Sequence, residues 1–138
     1  MTTQQKSKVK VLLAQYPLET HSRGILTVAG MLRDAGMEVV LIGNELPERI
    51  IATAVQEDAS VIGISTYCGG ELALGTDLMK AAEAKGIKKS AVFLLGGIFP
   101  PKDIPALKKM GFDGTFLAAT REQIVDCIEK SLAAKKRK

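Results

Sequence analysis

The strongest constraint on the fold of this 138-residue chain is a fivefold alternation of short apolar runs with longer amphipathic stretches. The apolar runs cover residues 8–14, 38–42, 61–65, 91–95 and 114–117. The amphipathic stretches cover 23–35, 48–58, 71–85, 104–110 and a last segment that Thr120 and Gln123 open with capping-box spacing. Short apolar runs without polar alternation predict strands that are buried on both faces, and the amphipathic stretches predict helices.

Five β–α units of this length predict a parallel sheet with helices on both faces. Right-handed crossovers leave few topologies, and the order 2-1-3-4-5 is the default for five strands. The predicted fold class is therefore α/β, a flavodoxin-like (Rossmann-like) three-layer sandwich with a five-stranded parallel sheet. We expect one domain over 1–138, with its core at about 8–132 and a basic tail over 133–138.

The composition, with 46% hydrophobic and 25% charged residues, is that of an ordinary globular protein. The formal net charge is +4, but the four Phe and two Tyr are scattered along the chain. A nucleic-acid-binding face combines basic residues with interleaved aromatics, so we expect no nucleic-acid partner. No stretch has the length of a membrane span. Cys68 and Cys127 lie far apart, which favours reduced thiols in the cytoplasm. A homo-oligomer stays an open alternative.

The loops at the carboxyl ends of the strands are where ligands bind in such folds, at the switch point between the first and third strands. The first of these loops holds His21, the one histidine of the chain, and Glu19. A neutral imidazole is the commonest nitrogen ligand for a metal, and its other nitrogen usually donates to a carboxylate. The plainer alternative is a surface histidine beside a solvated carboxylate.

Two glycine pairs, Gly69–Gly70 and Gly96–Gly97, lie in loops at the same predicted edge. Glycine permits unusual backbone angles and close approach of a ligand. Neither pair matches a Walker loop or the G-x-G-x-x-G dinucleotide motif, which disfavours ATP and NAD. Together with the histidine, the pairs favour a large, flat or extended ligand.

Three blocks, at residues 19–24, 65–67 and 96–97, resemble the cobalamin-binding signature D-x-H-x-x-G, S-x-L and G-G. The gaps between the blocks also fit, and the likeness to the B12 domain of methylmalonyl-CoA mutase and its relatives extends over about 8–132. The resemblance implies bound cobalamin with its own base displaced and its nucleotide tail in a pocket. By position, it makes His21 the lower ligand of cobalt. The other expected cofactor-binding residues lie in these blocks or in the loops at the same edge, and they are Glu19, Thr20, Ser22, Arg23, Gly24, Ser65, Tyr67, Gly69, Gly70, Gly96, Gly97 and Thr120.

Several positions depart from the family pattern. Glu19 stands in place of Asp, and Gln15 in place of a frequent Lys, so that the usual relay would here join His21, Glu19 and Gln15. Tyr67 stands in place of Leu and is expected to narrow or cap the pocket, and two alanines at 118–119 replace glycines. We also expect the loop around His21 to be mobile without a ligand, because its backbone has few fixed partners.

The sequence offers no catalytic acid, base or substrate pocket of its own. The resemblance therefore implies the cofactor-binding small subunit of an adenosylcobalamin-dependent acyl-CoA mutase, an isomerase whose large TIM-barrel subunit binds the acyl-CoA. A corrinoid carrier for methyl transfer is one alternative, and a diverged domain that makes only protein contacts is another. A signalling receiver domain is rejected, because the acidic pair, the Asp and the Lys that it requires are missing from the loops after strands 1, 3 and 5.

Overall fold

The computed structural model describes residues 9–67 and 69–136, so that Cys68 and the two ends lie outside the described residues. Five parallel strands form one sheet in the predicted order β2-β1-β3-β4-β5. The strands are β1 (Lys10–Gln15), β2 (Glu38–Asn44), β3 (Val61–Thr66), β4 (Val92–Gly97) and β5 (Gly114–Phe116). The helices are α1 (Arg23–Asp34), α2 (Pro47–Glu57), α3 (Glu71–Ala84), α4 (Ile104–Met110) and α5 (Arg121–Lys136), with a 3-10 turn at Pro101–Asp103. The predicted fold class is confirmed.

The sheet separates two hydrophobic cores, because side chains of successive strand residues point to opposite faces. Leu12 and Ala14 of β1 pack under α2, α3 and α4, on what we call the α3 face. Val11 and Leu13 pack under α1 and α5, on what we call the α1 face. The three central strands are buried on both faces, as their apolar sequences predict.

The sequence predicts the start of α5 correctly, but the helix ends later than predicted. Thr120 and Gln123 form the predicted capping box, since each side chain accepts a hydrogen bond from the other's backbone N–H. The helix then continues to Lys136, into the stretch predicted as a solvated tail. The Lys135 ammonium lies 3.0 Å from the Asp113 carboxylate, and this ion pair attaches the last turn of α5 to the segment before β5. No helix in the described part of the chain is long and apolar enough to cross a membrane.

A β-bulge interrupts the pairing of β1 with β2 near their carboxyl ends. Leu13 pairs with Leu41, but Ala14 pairs with Gly43, so β2 contains one extra residue there. Gly43 has a φ of 79°, a left-handed conformation that glycine adopts without a steric penalty. The bulge brings Asn44 opposite Gln15 at the edge where the first ligand-binding loop begins.

Three buried side-chain oxygens at the carboxyl edge of the α3 face have no hydrogen-bond partner within the described residues. They are the hydroxyl oxygens of Tyr16 and Thr66 and the Oε1 atom of Glu71. Burial and a hydrogen bond with Asp103 raise the pKa of the Glu71 carboxyl. A buried carboxylate is costly, so folding shifts this group toward its neutral form relative to the unfolded chain.

We expect Glu71→Gln to stabilise the protein at and above neutral pH. The folded pKa of Glu71 lies above its ordinary value of 4.5, so the wild type binds this proton more tightly when folded. The wild type therefore loses stability as the pH rises through the folded pKa, and the glutamine side chain of the variant has no proton to lose. The gain should be about 1 kcal/mol in denaturant unfolding at neutral pH and should shrink toward zero below the ordinary value.

Glu83→Gln is the matched control, because Glu83 is exposed on the same helix. An equal pH profile for the wild type and the two variants would contradict the prediction.

Candidate functional site

A cavity of about 810 Å³ opens at the carboxyl edge of the sheet on the α1 face. Its walls come from β1, β3, β4, the end of β5 and the segment after it, α1 and α5. Its volume is typical of a site for a small organic ligand. Eight of the predicted site residues line it. They are His21, Ser22, Arg23, Gly24, Ser65, Tyr67, Gly96 and Gly97.

Small residues on one face of β3 create this space. Gly63 and Ser65 occupy the positions of β3 that face α1, where larger side chains would fill the gap between sheet and helix. A Cβ atom on Gly63 would lie 2.7 Å from the Cδ2 atom of Leu13. The cavity is therefore a consequence of residue size on a central strand.

His21 lies at the mouth of the cavity, and the Glu19 carboxylate holds one side of its ring. Its Nδ1 lies 2.7 Å from Glu19 Oε2, which also accepts the backbone N–H of His21 at 2.9 Å. An ionised carboxylate only accepts hydrogen bonds, so we assign the imidazole proton to Nδ1. This leaves the Nε2 lone pair available, and no described residue forms a hydrogen bond with it.

Glu19 itself is buried, although it lies in a loop. Its side chain is fully covered while that of His21 is 62% exposed. The second carboxylate oxygen, Oε1, accepts the backbone N–H of Tyr67 at 2.5 Å. The carboxylate thus joins the loop after β1 to the residue that follows β3. Glu has one methylene more than the Asp of the family signature, and its carboxylate still reaches the imidazole.

Two expectations about this loop are wrong. Gln15 does not extend the relay, because its amide nitrogen donates to the main-chain oxygen of His21 at 2.6 Å, not to the Glu19 carboxylate. Nor does the loop lack fixed backbone partners. The Asn44 amide nitrogen donates to the main-chain oxygens of Tyr16 and Glu19, and α1 already begins at Arg23.

Tyr67 narrows the mouth of the cavity, as its size predicts. The centres of the Tyr67 and His21 rings are 5.2 Å apart. The Tyr67 hydroxyl oxygen lies 2.6 Å from the point where a Cβ atom on Gly24 would stand. A glycine at 24 therefore leaves just enough room for this tyrosine.

Similarity to known proteins identifies the family. A profile of the B12 binding domain matches residues 9–127. The chain belongs to the B12-binding domain family. It is 36% identical over 132 residues to the 2-hydroxyisobutanoyl-CoA mutase small subunit of Aquincola tertiaricarbonis, covering 94% of this chain and 96% of that protein. It is 37% identical over 123 residues to the pivalyl-CoA mutase small subunit of Xanthobacter autotrophicus, covering 87% and 81%.

The fold of this B12-binding domain also matches solved structures. One is the crystal structure of a cobalamin-binding protein from Desulfitobacterium hafniense, with a TM-score of 0.75 at 21% identity. The match covers 91% of this chain and 60% of that one. At this identity the likeness concerns the fold, and the family rests on the sequence matches.

The residues present fit a cobalamin. The described residues contain no group of three or more His, Cys, Asp or Glu side chains that could hold a metal ion. A bound corrin would bring its own ligands for cobalt, and His21 Nε2 would be the protein nitrogen that holds the group. The cavity beside the imidazole offers room for an extended tail.

Five predicted site residues of the B12-binding domain lie outside the cavity walls, and one of them, Glu19, is hydrogen-bonded to the His21 ring. Thr20 is exposed, Thr120 caps α5, and Gly69 and Gly70 precede α3 with positive φ. The sequence analysis missed several wall residues, namely Thr27, Val28 and Met31 of α1, Phe116 at the end of β5 and Leu117 directly after it. The four-residue spacing of Thr27 and Met31 along α1 is the signal that could have revealed that pair.

The two glycines at the end of β4 have different structural roles. Gly97 has a φ of 133°, and a Cβ atom there would lie 1.9 Å from the main-chain oxygen of Thr66. A Cβ atom on Gly96 would lie 3.6 Å from the main-chain oxygen of Phe116, which is an ordinary contact. The fold therefore requires glycine at 97 and permits a side chain at 96.

We expect Gly97→Ala to destabilise the domain by roughly 3 kcal/mol or more, because a backbone clash and a disfavoured φ act together. Gly96→Ala should stay near the wild type, and it is the matched control. Thermal and denaturant unfolding of both variants measure the difference. Equal stabilities would mean that the backbone at 97 adjusts freely.

Proposed function

We propose that this chain is the cobalamin-binding small subunit of an adenosylcobalamin-dependent acyl-CoA mutase, and that His21 Nε2 is the lower ligand of cobalt. The observation that carries the proposal is the state of the imidazole. Its Nδ1 is held by a buried carboxylate, while its other nitrogen has no partner among the described residues and lies at the mouth of a large cavity. Such support from a carboxylate orients a metal-ligating histidine and raises its basicity.

The cavity would take the nucleotide tail of the cofactor. Ser65 offers a hydroxyl on the cavity wall for a hydrogen bond to the tail, and Gly24, Gly96 and Gly97 leave space for its passage. Bound adenosylcobalamin would supply the radical chemistry that a carbon-skeleton rearrangement requires. The residues of this chain would bind and orient the cofactor and exclude water from its tail.

The acyl-CoA would bind to a separate large subunit, for which we propose a TIM barrel. The names of the two relatives support this division, since both are small subunits of acyl-CoA mutases and this chain covers most of each. Their names also point to branched acyl groups as the substrate class. The proposal includes a cytoplasmic location, which the two widely spaced cysteines of the sequence favour.

Titration with adenosylcobalamin tests the ligand directly. We expect the visible spectrum of a base-off, histidine-ligated cobalamin in the wild type, and loss of the histidine signature in His21→Ala, because no other histidine exists in the chain. Added imidazole should restore a nitrogen-ligated spectrum to the variant.

Titration should be repeated with the large subunit of the proposed complex, followed by a mutase assay on a branched acyl-CoA. Wild-type and His21→Ala spectra that are identical with and without the large subunit would exclude His21 as the ligand. Histidine ligation without any mutase activity in the complex would support the proposed cofactor and contradict the proposed mutase function.

Tyr67→Leu should ease entry of the nucleotide tail. Its hydroxyl lies against Gly24 and its ring contacts His21, so the side chain must leave these contacts before the tail can pass. An aromatic contact contributes about 1 kcal/mol. We therefore expect cobalamin to bind the variant about fivefold faster in stopped-flow measurements.

Cobinamide, which lacks the tail, is the control ligand for this variant and should bind both proteins at the same rate. Equal acceleration for cobalamin and cobinamide would show that Tyr67 affects the loop in general and not the entry of the tail.

A further inference from the structure

The turn that leads to Glu19 contains a residue in an unfavourable backbone conformation. The N–H of Glu19 donates to the main-chain oxygen of Tyr16 at 3.2 Å, which closes a four-residue turn. Pro17 suits its second position, but Leu18 at the third has a φ of 69°. The left-handed region disfavours residues with a Cβ atom, and Leu18 is 89% exposed, so packing of its own side chain does not hold it there.

Asn44 joins the two ends of this turn from outside. Its single amide nitrogen donates to the main-chain oxygen of Tyr16 at 2.9 Å and to that of Glu19 at 2.7 Å. The bulge at Gly43 sets the position of Asn44, because the extra residue of β2 brings it level with Gln15. Both N–H groups of the amide are thus used on the turn.

Gln15 continues the same pattern one step further along the loop. Its amide nitrogen donates to the main-chain oxygen of His21 at 2.6 Å. We call Gln15 and Asn44, which pair across β1 and β2, the amide clamp. The clamp donates to the main-chain oxygens of Tyr16, Glu19 and His21. Tyr16 begins the turn, Glu19 carries the carboxylate and His21 carries the imidazole.

We propose that the amide clamp positions the imidazole of His21, by holding the strained turn so that the Glu19 carboxylate meets Nδ1. Without the clamp, Leu18 relaxes out of the left-handed region, Glu19 moves with it, and the ring loses its fixed acceptor. Gln15 and Asn44 are positioning residues, since the side-chain amide of each donates to main-chain oxygens of the loop. The role of His21 as a cobalt ligand rests on the proposed function. The effect of the clamp on the orientation of the His21 ring does not depend on that role.

The test uses NMR of the ligand-free chain labelled with nitrogen-15. His21 is the one histidine, so the imidazole signals need no assignment. At a fixed pH above neutrality we expect the Nδ1–H tautomer to dominate in the wild type. Asn44→Ala and the isosteric Asn44→Asp should raise the Nε2–H fraction, because a loose Glu19 no longer selects the tautomer.

Gln56→Ala is the matched control, an exposed amide on α2 that should leave the tautomer unchanged. Asn44 is also exposed and belongs to neither core, so the fold should survive its replacement. Circular dichroism verifies this. A wild-type tautomer ratio in both Asn44 variants would overturn the proposal.

Rescue provides an independent test. Leu18→Gly removes the penalty of the left-handed conformation, so the double variant Leu18→Gly/Asn44→Ala should return toward the wild-type tautomer ratio. A residue with a general structural role would not be rescued at this exposed position. A double variant no better than Asn44→Ala alone would contradict the idea that the clamp acts through the turn.

Cobalamin binding supplies the second readout. We expect Asn44→Ala to bind adenosylcobalamin on the order of tenfold more weakly and with a smaller histidine-ligated fraction, the usual effect of losing support behind a metal ligand. A shifted tautomer in a protein whose wild type binds no cobalamin would support the clamp and reject the proposed function. An unshifted tautomer with normal histidine ligation would reject the clamp and support the function.

Discussion

The site depends on one buried carboxylate. Glu19 accepts two hydrogen bonds from His21, through Nδ1 and the backbone N–H, and one from the backbone N–H of Tyr67. Charge-assisted hydrogen bonds of this kind are roughly twice as strong as neutral ones, and they offset the cost of burying the charge. Through them a loop that follows β1 is attached to the end of β3, and an exposed imidazole acquires a fixed orientation.

The cavity and the carboxylate arise from different features of the same central strands. Gly63 and Ser65 are small, so β3 leaves space under α1, whereas β1 is followed directly by the turn that delivers Glu19. Strand order 2-1-3 places the two side by side. Residue size on one strand and turn geometry after its neighbour thus produce a pocket and an oriented histidine at one edge.

Much of this architecture is predictable from sequence, because it follows from periodicity. Apolar runs and amphipathic stretches predicted every strand and helix, and the spacing of Thr120 and Gln123 predicted a cap that forms. The hydrogen bonds of Asn44 with the turn were not predictable in this way. They depend on a bulge that shifts the pairing by one residue, and no local pattern reveals which strand positions will be level with each other. The sequence analysis expected the Gln15 side chain to meet the Glu19 carboxylate, but it donates to the main-chain oxygen of His21. Which acceptor the amide meets depends on the path of the turn after β1.

The walls of the cavity are also walls of a hydrophobic core. Leu13, Ile25, Leu32 and Ile124 belong to both, so the cavity borders directly on the core of the α1 face. A ligand that enters there completes the packing of the domain as well as its site. Because a ligand that binds only the folded state stabilises it by an amount that grows with the logarithm of its concentration, the folding stability of this chain would rise with the supply of cobalamin. Scarcity would then reduce the amount of folded protein together with the number of filled sites.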